Sequence, residues 1–216
     1  DLRGNFTYTQ NKYVYNDEPD YPYVWQTKTG KPLSCTYGYI ADGLFKDEDD
    51  IRNSPSQKNL GSTVMPGDIK YRDVNGDGTI TTEDQIMLSR YGGIPRIQYG
   101  FGLNWTYKNI DFGVFFNGSA KRTLMIDNIA PFCSDVGNQD RNLMKFIADN
   151  YWSEANPNQE AAYPRLGVNN SQIANNMKPS SFWMRNGNFL RFKTLELGLS
   201  LIHISEPHET ELHLVC

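Results

Sequence analysis

The sequence predicts an all-β chain: part of a large antiparallel transmembrane β-barrel with long extracellular loops, its sheet left open within these 216 residues. Three observations carry that reading. From Ile97 to Tyr107 every odd position is large and apolar or aromatic, namely Ile97, Tyr99, Phe101, Leu103, Trp105 and Tyr107. The positions between them, Gln98, Gly100, Gly102, Asn104 and Thr106, are small or polar. Such alternation puts one set of side chains on each face of a strand, and its length matches the roughly 9–11 residues that a tilted strand needs to cross a bilayer. Next, Lys108 and Asn109 make a two-residue turn, after which Ile110, Phe112, Val114 and Phe116 resume the pattern as the second arm of a hairpin. Finally, the connections on the other side, residues 17–95 and 120–187, are very long and rich in Gly, Pro, Asn and Asp. Short turns at one end and long loops at the other are the asymmetry of outer-membrane barrels.

A soluble sandwich alternates too. The membrane reading rests on strand length, well above the usual five or six residues, and on Trp105 and Tyr107 at the strand end, where an interfacial girdle would lie.

Taken in order, Gly4 to Asn16 predicts the first strand, with Phe6 and Tyr8 on one face before the pattern shifts. The first long loop follows, and within it Asp73 to Asp84, "DVNGDGTITTED", has the spacing of a calcium loop. The "DQIMLSRY" that begins at Asp84 predicts the start of an amphipathic helix with Ile86 and Leu88 on its apolar side. After the hairpin and the second long loop, Asn188 to Leu199 alternates Leu190 and Phe192 with Arg191 and Lys193, then changes register near Thr194. A bulge there would restore the pairing. With Lys108–Asn109 periplasmic, parity sends Gly4–Asn16 and Ile110–Ser119 outward, and Arg96–Tyr107 and Asn188–Leu199 inward. Four strands cannot close. Each unpaired backbone group in hydrocarbon costs several kcal/mol, so further strands are expected beyond this chain, which opens on Asp1 in what reads as the middle of a strand region.

Residues 1–198 are therefore taken as the partial barrel with its loops, and 199–216 as a non-native tail. The run "LSLIHISEP", Leu199 to Pro207, reads as a translated sequencing adapter, so His203, His208, His213 and Cys216 support no functional argument. Without them no histidine remains for a Ser/His/Asp constellation, and "DEDD" at Asp47 to Asp50 reads as a solvated loop; no catalytic residue, no cofactor-binding residue and no enzyme is expected. Cys35 and Cys133 are read as free thiols. The 21 basic residues are scattered and the net charge is -4, which gives no stripe for nucleic acid. No stretch approaches the roughly 20 apolar residues of a spanning helix.

The candidate metal ligands are Asp73, Asn75, Asp77, Thr79 and Asp84, at positions one, three, five, seven and twelve of a calcium loop with Gly78 at six. Alternate side chains converge on a hard cation, position seven offers its carbonyl and the last carboxylate closes the site. Position twelve is Asp rather than the usual Glu. The loop is most like a dockerin repeat, so a calcium-binding, dockerin-like extracellular docking module is the competing function. Against it, only one copy occurs and the long strands have no place in such a module.

In order, "RGNFTYTQNKYVYNDEP", "TGKPLSCTYGYIADGLFKDEDDI", "PGDIKYRDVNGDGTITTEDQ", "GGIPRIQYGFGLNWTYKNIDFGVFFNGSA" and "FWMRNGNFLRFKTLELG" resemble the C-terminal half of the SusC/RagA family of TonB-linked outer-membrane transporters of Bacteroidetes. The resemblance implies a large plugged barrel in the outer membrane and a SusD-like surface lipoprotein as lid. It also implies uptake of oligosaccharides or peptides driven through the TonB complex, by way of parts this chain lacks. In that family a calcium-like loop sits in an extracellular segment just before a barrel strand. Seven of the thirteen tyrosines and Trp25 fall within the first 39 residues, where they are expected either to stack on sugar rings or to serve as girdle and loop-packing residues.

Overall fold

A computed structural model of the chain describes residues 1–126, 143–167 and 170–199. In chain order the strands are β1 (Leu2–Tyr8), β2 (Thr36–Gly38), β3 (Ala41–Leu44), β4 (Ile69–Tyr71), β5 (Ile86–Ser89), β6 (Ile97–Tyr107), β7 (Ile110–Ala120), β8 (Thr123–Met125), β9 (Met184–Asn186) and β10 (Phe189–Leu199). Two short helices, α1 (Glu48–Arg52) and α2 (Lys145–Ala148), lie between them. The chain divides into two compact units: one of Asp1–Thr9, Arg96–Ala120 and the chain from Asn188, the other of Gln10–Pro95 and Lys121–Gly187.

The first unit is a four-stranded antiparallel sheet in the order β1-β6-β7-β10. The hairpin runs in unbroken register from Ile97↔Ala120 to Tyr107↔Ile110. Lys108 turns the corner at a φ of 53°, in the left-handed region that two-residue hairpin turns require. In β10 the register shifts between Phe192 and Thr194, so Lys193 is the extra residue of a bulge and Leu195, Leu197 and Leu199 rejoin the face of Leu190 and Phe192. The bulge expected near Thr194 is present.

Strand β1 differs from expectation, running from Leu2 to Tyr8 rather than from Gly4 to Asn16. Its partner β6 begins at Ile97, and the last bond of the edge is the Thr9 amide to the Arg96 carbonyl at 2.9 Å. Beyond it, Tyr13 exchanges backbone bonds with Gly30 and Lys31 instead, which is the register change the aromatic pattern registers. Tyr8, Ile97, Ala120 and Phe189 all lie at one end of the sheet. Both long connections leave and return at that end, and the opposite end carries the Lys108–Asn109 turn.

The second unit has its own core. Tyr39, Leu44, Leu60, Ile69, Tyr71, Ile80, Trp152, Ala161, Ile173 and Trp183 are buried together, around three two-stranded ribbons, β2–β5, β3–β4 and β8–β9. A polar network runs through this core. Strand β4 pairs with β3 on one edge, and side chains serve the rest of its backbone. Asn176 Oδ1 accepts from the Ile69 amide (2.8 Å) and Gln57 Oε1 from the Tyr71 amide (2.7 Å), while Asn175 Nδ2 donates to the Ile69 carbonyl (2.9 Å). Buried backbone groups require such partners. The fully buried Asp68 receives Arg165 Nε at 3.0 Å and Asn176 Nδ2 at 2.8 Å. Residues 57–71 come from the first long connection and 165–176 from the second, so the network ties the two together.

Two local expectations are corrected. "DEDD" is no free loop: the Asp47 side chain caps α1 by accepting from the Asp50 amide, and Asp50 binds Lys70 at 2.7 Å. After Asp84 no helix starts; a single 3-10 turn, Thr82–Asp84, gives way to an extended Gln85 and to β5, which pairs with β2. A short apolar run such as Ile86–Leu88 satisfies either periodicity, and the neighbouring strand β2 decides it.

Candidate functional site

The sheet presents two chemically distinct faces, and the registers give their composition. On one face the rows across β1, β6, β7 and β10 read Leu2–Leu103–Val114–Leu195 and Phe6–Tyr99–Gly118–Leu190, with Trp105–Phe112–Leu197 and Tyr107–Ile110–Leu199 toward the turn. Phe101, Phe116 and Phe192 form a central aromatic row with ring centroids 5.1 and 5.3 Å apart. These side chains are open: Leu2 is 86% exposed, Phe6 68% and Leu197 79%. Every buried hydrophobic side chain among the described residues lies in the other unit. So wide an unburied apolar face is a membrane surface or a protein interface, and the stacked Trp105–Tyr107 pair at its turn end suits a bilayer boundary.

The opposite face carries Arg3, Asn5, Gln98, Asn104, Asp111, Asn117, Arg191 and Glu196, with Thr106 Oγ1 donating to Asp111 Oδ1 at 2.7 Å. Two aromatic side chains belong to this side, Phe189 at the end of β10 and, at mid-sheet, Phe115. The Phe115 ring lies over Gly100 and Gly102, where an added Cβ would stand 3.0 and 2.8 Å from it. Arg3 and Lys193 flank that ring at 5.2 and 5.9 Å, Lys193 being delivered there by the bulge. Sequence reasoning missed this cluster. Its signal was an aromatic out of phase with the hairpin's alternation, set opposite two glycines.

The Asp73–Asp84 loop is built from amide hydrogen bonds. Asp73 accepts from the Gly76 and Gly78 amides at 2.6 and 2.7 Å, and Asn75 from the Asp77 amide at 3.1 Å. The Thr79 amide binds Asp77 Oδ1 at 2.7 Å, which with Asn75 holds the Asp77 carboxyl below the usual carboxylate range. Gly76 and Gly78 have φ of 79° and 81°, where glycine alone is unstrained. Asp84 is fully buried. Its Oδ1 accepts from Val74 (2.8 Å) and Asn75 (3.3 Å), and its Oδ2 from Thr81 (2.8 Å). The loop is anchored outward by Ser56, whose amide and carbonyl bond Gly78 and Ile80, and by Trp25, whose indole donates to the Glu83 carbonyl at 2.8 Å.

A calcium ion needs the carboxylates at positions one, five and twelve on one point. The structure does not assemble them. Among the described residues no three carboxylate, imidazole or thiol groups stand close enough together to hold an ion. Of the five sequence candidates, Asp73, Asn75, Asp77 and Thr79 share the exposed side of the loop's turns, whereas Asp84 turns inward onto three amides.

The early aromatics divide. Tyr39 is in the core, and Trp25 is a packing residue stacked on Tyr23 with ring centroids 4.6 Å apart. Cys35 is a free thiol. Cys133, the three histidines and Cys216 lie outside the described residues.

No family model matches the sequence. Two TonB-dependent receptors of Formosa agariphila are similar to it, one 28% identical over 161 residues (74% of this chain, 15% of the relative), the other 24% identical over 174 residues (81% and 16%). Among solved structures, the RagAB peptide transporter matches with a TM-score of 0.56 at 17% identity, over 91% of this chain and 20% of that one. The RagAB peptide importer in its closed-closed state matches with a TM-score of 0.52 at 19% identity, over 91% and 20%. The chain spans less than a fifth of the length of the curated relatives. Those relatives are TonB-dependent receptors, and the fold matched is that of a stretch of a peptide transporter. With the two-faced sheet, they make the chain similar in sequence and in fold to a short stretch of such proteins.

Proposed function

We propose that the chain is a stretch of barrel wall with its attached extracellular connections, serving TonB-driven nutrient uptake across the outer membrane. The observation that carries this is the sheet's apolar face, open in all four strands and backed by a polar face. Lipid covers the first and the aqueous lumen wets the second. The connections 10–95 and 121–187, folded on their own core, are the part offered to a SusD-like surface lipoprotein and to the cargo. Energy arrives from the TonB complex through parts of the longer protein.

The cargo is an oligosaccharide or a peptide. The similar RagAB structures are of a peptide transporter, so peptides are the first class to assay, in cells lacking the full-length protein and complemented with it. Spin labels walked from Ile97 to Tyr107 in the full-length protein test the wall. Odd positions should collide with dissolved oxygen and even positions with an aqueous nickel chelate. Equal shielding from lipid in both sets refutes the reading.

A further inference from the structure

We infer that the Asp73–Asp84 loop is a clasp that needs no metal, closed by the buried Asp84 carboxylate. In a calcium loop the chain is drawn around the ion and the last carboxylate ligates it from the far side. Here the last carboxylate is taken up by backbone amides. Asp84 is fully buried and takes hydrogen bonds from the amides of Val74 and Asn75 at the loop's start and of Thr81 near its end, so one side chain holds both ends together. An acceptor serving three backbone donors from a buried position is a closed arrangement, because those amides would otherwise be left unsatisfied.

The rest of the loop completes the clasp. Three of the remaining polar positions cap neighbouring amides within their own turns: Asp73 caps those of Gly76 and Gly78, Asn75 that of Asp77 and Asp77 that of Thr79. Thr81 and Asp84 form a reciprocal cap on the turn Thr82–Asp84, which presents the Glu83 carbonyl to the Trp25 indole. The clasp thereby fixes the start of β5 and the turn at Val24–Gln26. This inference stands on the loop's own geometry and is independent of the transport reading.

Hydrogen exchange on the full-length protein tests it, comparing EGTA with about 1 mM calcium, a concentration at which extracellular calcium modules are loaded. The amides of Val74, Asn75 and Thr81 should be protected in EGTA, with calcium changing their rates by less than about twofold. In D84A those three amides should lose protection by about tenfold or more whether or not calcium is present. Should D84A fail to fold, D84N supplies the second arm, since its carbonyl can still accept at one end of the loop; Thr81 should then lose protection while Val74 keeps it. Calcium protection of about tenfold in the unaltered protein, or saturable calcium binding abolished by D73A, overturns the inference.

Discussion

A charge placed on the apolar face at mid-strand should cost far more than the same charge one position away. Strand β6 runs ten residue steps from Ile97 to Tyr107. At about 3.4 Å per residue that is about 34 Å of strand, or about 25 Å of height at a tilt of about 45°, the height of the apolar band of a barrel. Phe101 lies one residue from the strand's midpoint, Gly102, in the aromatic row with Phe116 and Phe192. Arginine at such a depth costs about 2–4 kcal/mol, so F101R should lower the folded-to-unfolded ratio by about 30- to 900-fold. Y107R, about 10 Å nearer a boundary than Phe101, should cost no more than about 1 kcal/mol. N104R, close to the same depth as Phe101 but on the polar face, should be nearly neutral. The assay is urea titration of the full-length protein in lipid vesicles, the folded fraction being read as the heat-modifiable band. Similar losses in F101R and N104R would mean that both faces meet the same solvent, and the membrane assignment would fail.

Two further outcomes concern the second unit. D68N should cost about 3 kcal/mol, because it removes the fully buried partner of Arg165 and sets an amide nitrogen against donors. R72A, which breaks an exposed pair with Asp42, should cost about 1 kcal/mol or less. Limited proteolysis of residues 57–71 in the two variants checks the contrast, and equal protection would show that the buried network contributes nothing. The second outcome is a pH response of the Asp73–Asp84 loop. Asp77 has its folded-state carboxyl depressed, first by the Thr79 amide and then by Asn75, so its contribution is complete above the unfolded carboxylate value of about 3.9 and is lost as pH falls through the lower folded one. Pepsin should therefore nick the chain between Asn75 and Thr79 only at the acid end of its range. Equal nicking at pH 5 would contradict the bond.

The parts of the fold visible in the sequence are those that depend on local period alone. Alternation along β6 and β7 needs no knowledge of partners, and the Lys108–Asn109 turn and the register change beside Thr194 are local as well. What escaped depends on distant residues. The end of β1 at Tyr8 is set by where β6 begins, about ninety residues on, and β5 is a strand because β2 lies beside it. Asp68 and Arg165 meet across a sequence separation of 97. Nor does spacing distinguish the two uses of a carboxylate: the pattern from Asp73 to Asp84 suits ligands converging on an ion and equally suits side chains capping amides. Only the direction of Asp84, inward onto Val74, Asn75 and Thr81, separates them.

That a wall of lipid-facing strands carries connections this long follows from where the connections begin and end. Residues 10–95 depart from β1 and return to β6, which are hydrogen-bonded neighbours; residues 121–187 depart from β7 and return to β10, also neighbours. The sheet therefore brings both pairs of loop ends together, and lengthening a loop whose ends are already adjacent costs only about 0.6 kcal/mol per doubling. The remaining cost is the ordering of the loop residues, which the sheet cannot offset, since its apolar side chains are left open. It has to be offset by burial within the connections, and the core around Tyr71, Ile80 and Trp183 is where that burial occurs. A connection lacking such a core would stay a disordered coil. Because the core draws on both connections, with Asp68 and Gln57 from one and Arg165, Asn175 and Asn176 from the other, neither connection is complete without its counterpart.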